Sequence, residues 1–265
     1  MKRTAIAAAL ALSIAAATVG AQDLEALLVR NESQPRPPAT EGEMKMVITN
    51  KAGQSRVREI KAWTKTEADG TEKQMLVFLS PADVRDTRFL TVDYKAGGKE
   101  DEQFIYIPAL RKVRTIGTSG GDSKTGAFLG SDFSFADIGT LDRADFSVKA
   151  VGEEDINGRK YLRVEYASKG PATIKKYGYG KVLRWIDPEN ATSRQAEYYD
   201  PAGKPVKRLV VTGQHLVDGK YWQFETMEMS NLETGGKTAW VFVKTNNLPK
   251  LEEAYFTLRF LERGR

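Results

Sequence analysis

Two segments of this chain carry apolar side chains on both faces of what reads as a β-strand. They are Met75-Leu76-Val77-Phe78-Leu79 and Phe104-Ile105-Tyr106-Ile107. Successive side chains of a strand point to opposite sides, so a run that is apolar throughout needs cover on both. In a sheet with helices on one face only, the other greasy face must meet another sheet or something outside the protein.

The surrounding chain reads as short strands separated by turn residues. Met44, Met46 and Ile48 alternate with polar or mixed neighbours. Ala52-Gly53, Asp69-Gly70 and Gly97-Gly98 mark reversals, as do Asp200 to Lys204 and Thr234-Gly235-Gly236. Asn157-Gly158 and Asp218-Gly219 are the dipeptides of two-residue hairpins. The second separates Leu209–Val211 from Tyr221–Met229. Strands this close, without helices between them, predict an antiparallel meander. Roughly a dozen such strands exceed what an open twisted sheet holds without curling. The fold class is therefore mainly β: a curved antiparallel sheet forming an incomplete, half-open β-barrel, with a few short helices as plug or lid. Helix is expected at Asp23 to Val29, where Leu24, Leu27 and Leu28 share a face, and otherwise only around Ser131–Gly139 and Leu248–Ala254, the latter opened by Pro249.

The N-terminus has the pattern of a secretory signal peptide: Lys2 and Arg3, an apolar run from Ala5 to Ala17, and the small residues Val19-Gly20-Ala21. That run is shorter than the ~20 residues of a membrane span. Cleavage after Ala21 is expected, with export to the periplasm and no membrane span thereafter. The chain has no cysteine, which excludes disulfides, a thiol nucleophile and Cys-ligated metals. The formal charge of +5 comes from 40 basic and 35 acidic residues, interspersed along most strands. That is a solvated surface, not a nucleic-acid footprint.

No catalytic, metal or cofactor set stands out. The single histidine, His215, lies beside a turn. There is no nucleophile elbow, phosphate-binding loop or dinucleotide fingerprint. Glu153-Glu154-Asp155 adjoins a turn, as a solvated loop would. Asp132 and Asp137 are one carboxylate pair for acid–base work, which in glycoside hydrolysis needs a separation of roughly 5 to 9 Å. Helix capping explains both more simply.

Apolar surface remains. Met46, Ile48, Phe78, Phe89, Phe104, Tyr106, Trp185, Tyr198, Trp222 and Phe224 are candidates to line a lipid-binding cavity, and Met75, Leu183, Met227, Met229, Trp240 and Phe242 are further inward candidates. Parity divides such a set, for Trp222 and Phe224 lie on one face and Met227 and Met229 on the other. Methionines and aromatics accept acyl chains without demanding one shape. A carrier must also release its cargo, and the loop from Thr125 to Phe135 suits a lid: Phe128, Leu129, Phe133 and Phe135 can compete for the same cavity. An ordered connection packed on the core is the alternative. Arg85, Arg88, Arg111 and Arg114 are candidate contacts to lipid phosphates or an acidic partner; a solvent-facing edge strand protected by charge explains the same residues and is the favoured reading.

The run that holds these residues resembles a known family. Phe78 to Arg85 with Thr87 to Tyr94, Phe104 to Arg114, and Phe128 to Asp137 appear in the order seen in the periplasmic outer-membrane lipoprotein-sorting-like proteins, relatives of the lipoprotein carrier LolA. Weaker similarity extends through Trp185-Ile186-Asp187, Tyr199-Asp200, Met227-Glu228-Met229 and Phe256-Thr257. Asp86 stands where the family pattern has Gly. The resemblance implies one lipid- or lipoprotein-binding domain over residues 22–265, built as an incomplete barrel around an apolar cavity. It implies lipid or lipoprotein acyl chains as cargo, no cofactor, and an inner-membrane transporter of the efflux (RND) type or an outer-membrane receptor as partner. A non-catalytic assembly factor using the same sheet to bind protein is the competing reading.

Overall fold

The computed structural model describes residues 21–95, 99–117, 123–248 and 250–264. The expected signal peptide, the Gly97-Gly98 turn and Pro249 lie outside them, apart from Ala21, which opens the first helix.

Helix α1 (Ala21–Glu32) is followed by six strands: β1 (Ala39–Thr49), β2 (Ser55–Thr66), β3 (Glu72–Ser80), β4 (Arg88–Asp93), β5 (Glu102–Ile107) and β6 (Lys112–Ile116). A loop carrying the one-turn helix α2 (Phe135–Ile138) leads to β7 (Phe146–Ile156) and β8 (Arg159–Ser168). Then come α3 (Pro171–Tyr177), β9 (Lys181–Ile186), β10 (Ser193–Tyr199) and β11 (Pro205–Thr212). A small hairpin, β12 (His215–Val217) and β13 (Tyr221–Gln223), precedes β14 (Thr226–Asn231), β15 (Lys237–Leu248) and the terminal helix α4 (Leu258–Arg263).

Thirteen of these strands form one antiparallel sheet in the order β6-β5-β4-β3-β2-β1-β15-β14-β11-β10-β9-β8-β7. The sheet curves but does not close, leaving β6 and β7 as edges. The half-open barrel expected from the strand count is what forms. β1 and β15 pair at its centre, with Met46 opposite Trp240 and Met44 opposite Phe242.

Local chemistry sets the reversals. Asn157 and Gly158 take φ of 56° and 80°, the left-handed pair that a two-residue hairpin requires between β7 and β8. Asp86 has φ 63°, so this departure from the family pattern occupies a conformation that Gly favours and Asp tolerates. Asp218-Gly219 turns a different hairpin from the one expected. β11 pairs with β14 directly, and β12–β13 is a separate two-stranded excursion between them, closed by a loop of Asp218, Gly219 and Lys220.

The two-sided apolar strands are covered within the chain itself. The even-numbered residues Leu76 and Phe78 of β3 face the concave core, while Met75 and Val77 face outward. On that outer side the C-terminal segment lies across β2 to β6, stacking Tyr255 on Trp63 at 5.1 Å and setting Phe260 edge-on to Trp63 at 6.1 Å. The expectation of a second sheet or an external surface is thus corrected: Tyr255, Phe256, Phe260 and Leu261 supply the cover. Helix α4 begins ten residues past the predicted Leu248, since β15 runs to Leu248 and only a single turn, Glu253–Phe256, precedes Thr257. The Thr257 hydroxyl caps α4 by accepting from the Phe260 amide at 3.1 Å.

Helix α1 seals the concave side near the β9–β10 turn. Leu27 and Leu28 are buried in the core, and the Asn31 and Gln34 side chains donate to the carbonyls of Ala191 (2.6 Å) and Asn190 (2.8 Å).

Candidate functional site

The concave face is an apolar surface covered by helix α1 and by the loop between β6 and β7. Met46 and Ile48 on β1, Phe78 on β3, Phe89 on β4 and Tyr198 on β10 all belong to it, so the curvature gathers five of the ten cavity candidates. Met229 and Trp240 join them, with Met227 and Phe242 at the periphery. The other five candidates do not reach this surface. Phe104 and Tyr106 have the opposite parity on β5 and pack under the C-terminal segment. Trp185, with Leu183, lies on the outer face at the far side of the sheet, beside Tyr161. Trp222 belongs to β13 and Phe224 follows it, both half-buried in the excursion between β11 and β14.

The predicted lid residues lie inside the curve, against that surface. Phe128 is fully buried, with its ring 4.9 Å from Phe89, 6.2 Å from Phe78 and 6.1 Å from Trp240. Phe135 meets Phe128 edge-on at 5.4 Å, and Phe133 meets Trp240 at 6.2 Å. Leu129 is half-buried and packs against the same core. Local hydrogen bonds fold the loop into a compact plug. The Phe128 amide donates to the Phe133 carbonyl at 2.7 Å, the Ser131 amide to Phe128 at 3.0 Å and the Phe135 amide to Gly126 at 3.1 Å. Gly130 and Leu129 both take positive φ, 74° and 50°, which makes the turn possible.

Six polar contacts latch the plug to the rest of the fold. Arg58, buried on β2, donates through Nη1 to the Leu129 carbonyl at 2.7 Å. The Asp132 amide donates to Thr238 Oγ1 at 3.0 Å, and the Thr238 hydroxyl donates back to Asp132 Oδ2 at 2.7 Å. Gln103 Nε2 donates to the Phe135 carbonyl at 3.1 Å. Asp137 is the deepest anchor: its side chain is 2% exposed, pairs with Lys207 Nζ at 2.8 Å and accepts from the Tyr179 hydroxyl at 2.8 Å. Asp137 also accepts from the Ser134 amide at 2.7 Å while the Ser134 hydroxyl accepts from the Asp137 amide, a reciprocal cap that starts α2. Burial and the Asp137 charge push the Tyr179 phenol above its usual range, which keeps it a proton donor to this carboxylate. Asp132 and Asp137, the carboxylate pair considered for acid–base work, are therefore both committed to holding the plug.

Arg58, Gln103, Tyr179, Lys207 and Thr238 carry no signal of this role in sequence. Each is one polar residue in a strand or turn, and only the register brings it under the plug.

A second hollow opens where β4 and β5 face the chain before β7. It is a cleft of about 740 Å³ whose walls include Asp93, Lys95, Asp101, Arg143 and Lys176 around Leu141, Phe146 and Val148. Asp93 is pushed up to about 6 by burial first, then by the charges of Asp101 and Glu72. Its Oδ1 has no hydrogen-bond partner among the described residues.

The four basic candidates separate. Arg88 is structural, donating through Nη1 to the carbonyls of Leu261 and Glu262, each at 3.1 Å, at the end of α4. Arg85 donates to the Leu79 carbonyl at 3.2 Å. Arg114 is half-buried on the edge strand β6, and Arg111 is exposed in the turn before it with φ 47°. Among the described residues no helix is long and apolar enough to cross a membrane, and no group of acidic or histidine side chains could hold a metal ion.

Known proteins share this architecture. A domain from Vibrio parahaemolyticus named for outer-membrane lipoprotein sorting matches with a TM-score of 0.79 and 26% identity, over 91% of this chain and 97% of that one. A DUF1329 family protein from Desulfovibrio piger matches with a TM-score of 0.79 and 28% identity, over 89% and 96%. A LolA superfamily protein from Nitrosomonas europaea shares the fold at 16% identity, with a TM-score of 0.66 over 89% of this chain and 98% of that one. No curated protein matches. A family model described as "Uncharacterized protein" matches residues 70–263, which include the plug, its latch residues other than Arg58, and the C-terminal cover. The chain belongs to that family, and its fold is that of the LolA superfamily protein and of the domain named for lipoprotein sorting.

Proposed function

We propose that this protein is a periplasmic carrier that takes the acyl chains of a lipid or lipoprotein onto its concave face, in exchange for its own aromatic plug. The observation that carries the reading is the composition of the covering loop. Phe128, Phe133 and Phe135 occupy the curve, while buried polar contacts hold the loop at its rim. A loop serving only as core needs no ring of charged and hydroxyl anchors, since burying such groups is favourable only when each is paired. A displaceable plug needs both parts: apolar side chains that stand in for an acyl chain, and polar contacts that fix where it returns.

Each buried methylene of cargo contributes about 0.8 kcal/mol. Competition with three aromatic rings lowers the net affinity and so permits release. The fold shared with the domain named for lipoprotein sorting supports the cargo class, and the N-terminal sequence pattern supports export. A transporter or receptor in the envelope is the partner this cycle requires.

The chain lacks cysteine, so a designed disulfide tests the exchange cleanly. Asp132→Cys with Thr238→Cys joins positions whose side chains are already in hydrogen-bond contact at 2.7 Å. Delipidated protein is titrated with a fluorescent fatty acid, oxidised and then reduced. Saturable binding in the reduced form that is lost on oxidation supports the carrier. Equal binding in both states, or none in the unsubstituted protein, overturns it.

A further inference from the structure

We propose that the basic cleft between β6 and α4 is a docking surface for an anionic phospholipid bilayer. The inference goes beyond the carrier reading, because it concerns a different face and a membrane surface, not a single bound chain.

The cleft, about 710 Å³, is lined by Arg111, Lys112 and Val113 from the β5–β6 corner and by Leu258, Arg259, Glu262 and Arg263 from α4. Arg259 and Arg263 are four residues apart, so they share one side of the helix. Its opposite side is fixed to the sheet by the fully buried Leu261 and by Arg88 on the last carbonyls. Four cations thus face one acidic side chain on a rigid platform. Sequence alone connects only Arg111 and Lys112; the fold adds the two arginines from a segment far along the chain.

Two features of this cleft matter together. Many long basic side chains of the surface are tied to acids, as Lys61 is to Glu41, Lys204 to Glu233 and Arg208 to Glu197. Arg111, Lys112, Arg259 and Arg263 form no ion pair among the described residues. Leucines also flank them. Leu110 is 55% exposed and Leu258 50%, among the highest values for large apolar side chains among the described residues. Unpaired cations beside exposed leucines match an interface that is anionic at its surface and apolar just beneath it. An acidic protein would match the charge but leave the leucines without a deep partner pocket. Charge complementarity and this apolar rim together select the bilayer.

The test uses the full-length mature protein and sedimentation with vesicles. Binding is expected to vesicles of phosphatidylcholine mixed with phosphatidylglycerol and to fall as salt screens the surface. Each basic side chain near an anionic membrane contributes enough that its loss weakens binding about fivefold. The Arg111→Ala, Lys112→Ala, Arg259→Ala and Arg263→Ala variants are measured singly and combined, and Leu110→Asn tests the apolar rim without changing the charge. Fatty-acid binding is measured on the same samples and is expected to be unchanged, so a failed docking surface and a failed carrier give different results. Equal binding to phosphatidylcholine alone, no vesicle binding, or binding insensitive to all five substitutions would overturn the proposal.

Discussion

Phe128→Ala separates a displaceable plug from an ordinary core. The ring is fully buried against Phe78, Phe89, Phe135 and Trp240. Truncating a Phe in such a site costs about 3–5 kcal/mol, the sum of lost transfer energy and the cavity left behind. In the carrier account that cost falls on the closed plug alone, because the open, cargo-binding form has already withdrawn Phe128 from its partners. Apparent affinity is set by the intrinsic affinity and the fraction of molecules that are open. If only about 1.4 kcal/mol of the loss appears in that equilibrium, a fluorescent fatty acid binds about tenfold more tightly. The assay is a titration of delipidated protein, paired with urea unfolding of the same sample. The account expects lower stability and higher affinity together. A stability loss of several kcal/mol with unchanged or weaker affinity would refute it, since Phe128 would then be core and nothing more.

Other perturbations follow from the same geometry. Asp137→Asn leaves Lys207, only 16% exposed, without its charge partner; the latch weakens by about 3 kcal/mol, and plug amides exchange faster with solvent while the outer face is unaffected. Leu261→Ala acts on the opposite face: it costs about 2–5 kcal/mol in urea unfolding and leaves fatty-acid affinity unchanged. Asp93 makes stability pH-dependent. Its folded value, about 6, lies above the unfolded value near 3.8, so its contribution is fully present below about pH 4 and is lost as pH rises through 6, by about 3 kcal/mol at most. Asp93→Asn should flatten the melting temperature across that window, and an undiminished slope would show that another group is responsible.

The sheet was legible because its signals are local. Alternation at Met44, Met46 and Ile48 and the left-handed demand of Asn157-Gly158 each specify a strand or a turn with no help from the rest of the chain. The plug was legible too, since Phe128, Phe133 and Phe135 among glycines and serines have few places to go but inward. Which face each strand turns to that plug was not. Phe104 and Tyr106 look like Phe78 and Phe89 in sequence, yet their parity places them under a segment about 150 residues later. That outer cover was missed because Tyr255, Phe256 and Phe260 sit among charges in a short run whose partner surface only the sheet creates. Helix α3 escaped for a related reason. Its seven residues are bounded by Gly170-Pro171 and by Gly178 at φ 87°, a sound start and stop around too little periodicity to recognise.

Hydrogen exchange of the plug amides, with and without a saturating fatty acid, bears most directly on whether cargo replaces the plug. The amides of Phe128, Ser131 and Phe135, now bonded within the loop, should lose protection when the fatty acid binds, while those of the central strands β1 and β15 hold theirs. Saturable binding with the three plug amides as protected as before would mean that the acyl chain sits elsewhere and that the concave face is simply the protein's core.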